Sequence, residues 1–164
     1  MPVRAEVRGI NETRQTFENV AEAIQGREMV QTMYTALNIL GNDAKRFAPV
    51  DTGRLHSSIK GDVSQVSFPM KAVSGVVGSN IEYAAFQEFG TGTPAGNAPV
   101  KMPPIEALQG WARRHGVNAR VVALAIFKRG GLEPRRYFAR SLEKNERRII
   151  QLFDGKVRMI IQRS

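Results

Sequence analysis

Between Val30 and Phe47 the apolar residues Val30, Met33, Leu37, Leu40, Ala44 and Phe47 recur at separations of 3, 4, 3, 4 and 3, the spacing that lines one side of an α-helix. A seam of that length needs a surface to pack on, so the chain must build its core around this helix. Pro49 ends it, because the residue before a proline is pushed out of helical geometry. Gly41-Asn42 lies inside the seam, weakens the helix by about 1 kcal/mol relative to alanine at the glycine, and marks a place for a bend. A second long run follows Pro134, where Phe138, Leu142, Ile149, Phe153, Val157 and Ile160 keep helical phase to about residue 163, with Asn145 in the gap. As one straight helix it would extend about 45 Å, with Asp154-Gly155 the expected interruption.

Shorter elements fill the space between. Alternation of Val3, Ala5 and Val7 with Arg4, Glu6 and Arg8 predicts an edge strand over 1–10, and Phe17, Val20, Ala21 and Ile24 predict an amphipathic helix over 12–25 that stops at Gly26. Residues 57–68 and 72–79, rich in Val, Ser and Gly, predict an antiparallel hairpin reversing at 68–71. Gly61, Gly75 and Gly78 within it imply twist, bulges or close backbone approach. Asn80 is placed to cap a short helix with Ile81, Ala85 and Phe89 on its inner side and Gly90 at its end. The stretch 90–104 then holds three glycines and four prolines in fifteen residues and predicts an irregular, mobile interface loop. Helices are expected after Pro104, with Ile105, Leu108, Trp111 and His115 in phase and Trp111 in the core, and after Asn118, with Val122, Ala125 and Ile126 in phase up to Gly130-Gly131.

Composition narrows the function. The 164 residues are 42% hydrophobic and 24% charged, which suits one globular domain. The sequence has no run of the roughly 18 to 20 apolar residues that a spanning helix requires and no apolar leader at its N-terminus, so membrane insertion and Sec export are not expected. Zero cysteines leave no disulfide, thiolate nucleophile or cysteine-bound zinc. The net charge of +9 is unevenly held: residues 1–100 carry 9 basic against 10 acidic side chains, and residues 101–164 carry 15 against 5. That asymmetry suits a polyanionic neighbour, whether nucleic acid, a membrane surface or an acidic protein. Arg136, Arg140, Lys144 and Arg147 concentrate it into a stripe beside the C-terminal seam, which could meet a phosphate backbone through salt-sensitive, sequence-independent contacts.

Asp51-Thr52-Gly53 matches the catalytic tripeptide of retroviral-type aspartic proteases, where two such loops share one proton between paired carboxylates. Here it follows an amphipathic helix instead of ending a buried strand, and Arg54 comes next. A turn in which Asp51 or Thr52 accepts backbone hydrogen bonds and Gly53 supplies the unusual backbone angle is the better reading. The glycines of 90–96 lack the spacing of a phosphate-binding loop, and Pro94 removes one backbone donor. His56 and His115 stand 59 residues apart with no acidic partner at ligand spacing. No enzyme site, metal or cofactor is expected.

Three blocks in order carry a resemblance: AKRFAPVDTGRLHSSI at 44–59, VGSNIEYAAFQEFGTGT at 77–93 and GLEPRRYFARSLEK at 131–144. With them the chain resembles the head-tail joining and tail-completion neck proteins of long-tailed bacteriophages, over about residues 28–144. The family pattern falls on Asp51, Thr52, Gly53 and Arg54, on Tyr83, Glu88, Phe89, Gly90 and Thr91, and on Pro134 to Phe138. The resemblance implies an α+β fold in which a small antiparallel sheet is flanked by amphipathic helices, here with a long C-terminal helix, in a single domain spanning 1–164. It also implies a non-enzymatic virion subunit, assembled in the host cytoplasm, that joins the tail to the DNA-filled head within a homo-oligomeric, hexameric ring. Its partners would be neck and tail proteins such as a head-closure protein or the tail tube, with possible contact to DNA in the channel. Arg54 and Glu88 could pair within or between subunits. Arg135, Arg136, Phe138, Arg140, Lys144 and Arg147 are the candidate interface or polyanion-facing residues. The rival is a non-specific nucleic-acid-binding module that uses the C-terminal helix.

Overall fold

In a computed structural model of the chain, residues 15, 18–20, 26–66, 72–96 and 102–163 are described. The strand expected over 1–10 and the reversal at 68–71 lie outside them. Of the helix expected over 12–25, residues 15 and 18–20 are described and are helical. The elements run α1 (Arg27–Phe47), α2 (Arg54–Ser58), β1 (Lys60–Val66), β2 (Ala72–Gly78), α3 (Ala84–Phe89), a 3₁₀ turn (Thr93–Ala95), α4 (Ile105–Arg114), α5 (Ala119–Lys128) and α6 (Tyr137–Arg163). The fold is α+β, mostly helical, with an antiparallel two-stranded sheet and a long C-terminal helix.

Both long seams form single helices. Neither Gly41 nor Gly155 interrupts its helix, because each ladder of backbone hydrogen bonds outweighs the roughly 1 kcal/mol glycine penalty. α6 begins at Tyr137 instead of Pro134, since Arg135 and Arg136 donate their backbone N–H groups to Gln87 O (2.8 Å) and Glu88 O (3.1 Å). Ser57 and Ser58, expected in the hairpin, close α2 instead, their hydroxyls donating to the carbonyls of Arg54 and Leu55.

The described residues gather into two compact units. One draws on residues within 1–38, 61–76 and 146–164. In it Met29, Thr32, Ala36 and Leu37 of α1 are buried, as is Ile160 of α6, and Thr32 satisfies its hydroxyl on the Glu28 carbonyl one turn back (2.8 Å). Two of the three hairpin glycines serve close approach, while a Cβ on Gly78 would meet nothing within 4 Å. A Cβ on Gly61 would lie 2.8 Å from Leu37 Cβ, and one on Gly75 would lie 2.8 Å from the Met33 side chain. Lys156 and Arg163 both pair with Glu28 at 3.3 Å.

The second unit comprises residues within 39–60 and 77–145. Its core is Ala44, Ala48, Leu55, Ile59, Ala84 and Tyr137, flanked by Phe47, Val77, Ile81 and Phe138. On α6 the buried row is Tyr137, Ser141 and Asn145, while Leu142 is exposed. The expected seam is therefore displaced by one residue, because two polar members of that row have partners to reach. Ser141 donates to Leu40 O (2.7 Å), and Asn145 donates to Asp43 (2.7 Å) and to Ser141 O (2.9 Å).

Candidate functional site: a cleft beside interlocked motif blocks

The second and third motif blocks form one mechanical lock. Glu88 is buried on α3, and its carboxylate accepts the backbone N–H groups of Phe138 (2.8 Å) and Ala139 (3.1 Å) at the start of α6. An anion suits that position because the first N–H groups of a helix lack intrahelical acceptors and sit at its positive end. Within the chain this cap takes the place of an Arg54–Glu88 pair. Thr91 N donates to Leu132 O (2.9 Å), Leu132 N returns a bond to Thr91 Oγ1 (3.0 Å), and Thr93 N donates to Gly130 O (3.0 Å). The start of the Gly/Pro loop is thus strapped down, while 97–101 lies outside the described residues. At Gly131 (φ 140°) a Cβ would fall on the Thr91 carbonyl, so only glycine admits the approach.

Each remaining motif residue has a definite place. Tyr137 is fully buried and donates its hydroxyl to Ala84 O (3.3 Å). Burial, reinforced by the negative charge of Glu88, raises its pKa to about 12. Phe138 packs on the core with its ring centroid 4.5 Å from that of Tyr137. Gly90 turns with φ 67° at the end of α3, and Arg136 takes φ 52°, an unusual backbone for a side-chain-bearing residue, held by the bonds on either side of it. On α3 the inner positions are Ala84 and Glu88, with Ile81 before them; Phe89 and Ala85, expected inside, are outside. The capping carboxylate has to face α6, and that sets the rotation of the helix.

Asp51 does not accept the backbone bonds expected of a turn residue. Its carboxylate meets Arg114, through both Nη2 and Nε, and His115 Nε2 (3.2 Å). The Arg114 bond is the chief influence holding its pKa below the usual carboxylate range, a fixed negative charge rather than the shared proton of a protease dyad. Gly53 does supply the left-handed angle, φ 77°. Trp111, expected in the core, is half-exposed and stacks on His115 with centroids 4.2 Å apart.

These residues border an open cleft of about 830 Å³. Its walls are the 49–55 turn, the outer side of α3 with Tyr83 and Phe86, and α4 with Leu108 and Trp111. Tyr83, Phe86 and Trp111 stay exposed, so the walls offer aromatic surface with few fixed charges. Such a surface suits a protein partner.

The basic stripe is partly engaged inside the unit. Lys144 pairs with Asp43 (3.0 Å), and Arg140 and Lys144 lie over the Phe47 ring at 4.5 and 5.6 Å. Arg136 pairs with Glu143 (2.6 Å), while Arg135 and Arg147 are exposed. Asp43, not singled out in the sequence, anchors this region. It is buried, and its pKa is lowered first by the Asn145 hydrogen bond and then by Lys144. Asn145 in the apolar gap was its only trace in the sequence.

Among the described residues no cluster of side chains could hold a metal ion, and no helix is long and apolar enough to cross a membrane. The described site is an open, aromatic-walled cleft beside a hydrogen-bonded junction of two motif blocks. Residues 11–90 match the model of the HK97-gp10-like family, described as "Bacteriophage HK97-gp10, putative tail-component". That segment, just under half of the chain, is similar to this family, whose description is that of a phage tail component. Comparisons with curated proteins and with solved structures found no match.

Proposed function

We propose that the chain is a structural subunit at the phage neck or tail end, joining the tail to the DNA-filled head as one member of an oligomeric, hexameric ring. The observation that carries this reading is the family match over residues 11–90. The cleft supports it, because exposed aromatic walls on a hydrogen-bonded scaffold suit docking to copies of the chain and to a head-closure protein or the tail tube. The whole chain then acts as a single neck domain without catalytic work. The rival reading, a nucleic-acid module, gains nothing from a stripe whose middle members are held against Asp43 and Phe47.

Inactivating the gene in the phage should leave DNA-filled heads and separate tails, and adding the purified protein should restore joined, infectious particles. Electron microscopy of the lysate checks this. Joined particles at normal yield without the protein would sink the reading.

A further inference from the structure

The pair formed by α4 and α5 stands apart from the core of its unit. Within residues 105–128 only Ala112 and Ala123 are buried, and none of the residues that form or flank that core comes from this stretch. Its larger apolar side chains Trp111, Val121, Leu124 and Phe127 are 39%, 64%, 43% and 47% exposed. On its inner side α4 faces the open cleft. A segment that shares so little apolar surface with its surroundings can open without unfolding the rest.

Two attachments hold the pair, one at each end of α5. At the C-terminal end the backbone is pinned: Thr93 N donates to Gly130 O, and Gly131 approaches the Thr91 carbonyl so closely that no Cβ has room. At the other end, across the turn 115–118, Arg114 and His115 meet the carboxylate of Asp51, and Trp111 stacks on the imidazole. Asp51 and Arg114 belong to different walls of the cleft. Beyond the caps of the two helices, the hydrogen bonds from 105–128 to other described residues all go to Asp51. The length of α5 puts about 15 Å between the pinned end and the Asp51 contact. The first attachment is backbone, whereas the second is an exposed cluster of charges, which water and salt weaken.

We propose that α4 and α5 act as one lever that pivots at the pinned Gly130-Gly131 and sets the width of the cleft, with Asp51 as its catch. Gly130 (φ 77°) and Gly131 (φ 140°) lie at the end of an element, where hinges absorb their dihedral changes. Released from Asp51, the tip at 114–118 swings away from the 49–55 turn, taking Leu108 and Trp111 with it, and the cleft widens. The lever is independent of the ring reading.

The test measures distances between paired spin labels on the purified full-length chain, whose lack of native cysteines keeps the labels at their intended sites. Val121→Cys with Lys60→Cys spans from lever to core, and Leu142→Cys with Lys60→Cys is the control within the rest of the unit; all three positions are exposed. The lever pair should show a main distance and a minor, longer one. Asp51→Asn and, separately, Arg114→Gln should each raise the population of the longer distance by about threefold, the range in which an exposed charge pair biases an equilibrium. Raising salt from about 0.1 M to about 1 M should shift the wild-type background in the same direction. The control pair should keep one distance throughout. A lever pair with a single distance that neither variant nor salt alters overturns the proposal. Equal broadening of the control pair overturns it as well, since the whole unit would then have loosened.

Discussion

Asp43 shows how one buried charge organises its surroundings. Its carboxylate is held by Asn145 (2.7 Å), Lys144 and Arg46, and those partners lower its pKa in the fold from 3.8. A depressed folded pKa contributes stability that is fully present above the unfolded value and is lost as pH falls through the folded one. Unfolding midpoints should therefore decline as pH drops below about 4. Asn145→Ala removes the strongest of these partners; it should cost about 2 kcal/mol at neutral pH, as expected for a hydrogen bond to a charged group, and should flatten the acid decline. Chemical denaturation at several pH values checks both. The sequence showed Asn145 as a gap in an apolar seam but not the acid that fills its need, because Asp43 lies 102 positions away and has no local pattern of its own.

Elements were legible where periodicity was strong and less so where contacts across the chain set their rotation. The seam of α1, the later part of the α6 seam from Ile149 to Ile160, and the two strands are where their patterns place them, since amphipathic spacing reports the buried side directly. The inner face of α3 and the start of α6 were misread, because Glu88 turns α3 toward the α6 terminus, a demand that hydrophobicity does not record. Three glycines separate packing from permissiveness. Gly61→Ala would drive a Cβ to within 2.8 Å of the Leu37 Cβ, a part of the side chain that cannot swing away, and should cost about 1–3 kcal/mol. Gly75→Ala meets the flexible Met33 side chain and should cost less. Gly155→Ala, within α6 and with nothing within 4 Å, should stabilise by about 1 kcal/mol. Thermal unfolding of the three variants ranks them.

At the scale of the molecule, the excess charge of the C-terminal third divides into two populations. Arg140 and Lys144 serve the fold through Phe47 and Asp43, while Arg135 projects outward from the strap that joins the motif blocks. Arg135→Glu combined with Arg136→Glu should therefore lower the yield of joined particles in a complementation assay severalfold while secondary structure is retained. Unchanged yields would remove these two residues from the contact surface. The second and third blocks, far apart in sequence, meet as pieces of one lock. The cleft itself escaped sequence reading, since its walls come from segments as far apart as Pro49 and Leu132.

The carboxylate of Glu88 stands 50 residues ahead of the amides it caps. During synthesis it leaves the ribosome well before Phe138 exists, so the nascent chain carries an acid with no counterpart until the last third has emerged. The opening turn of α6 can settle only after that long loop has closed. Amide exchange at Phe138 and Ala139 during refolding should accordingly slow late, timing the moment at which the two distant stretches become one body.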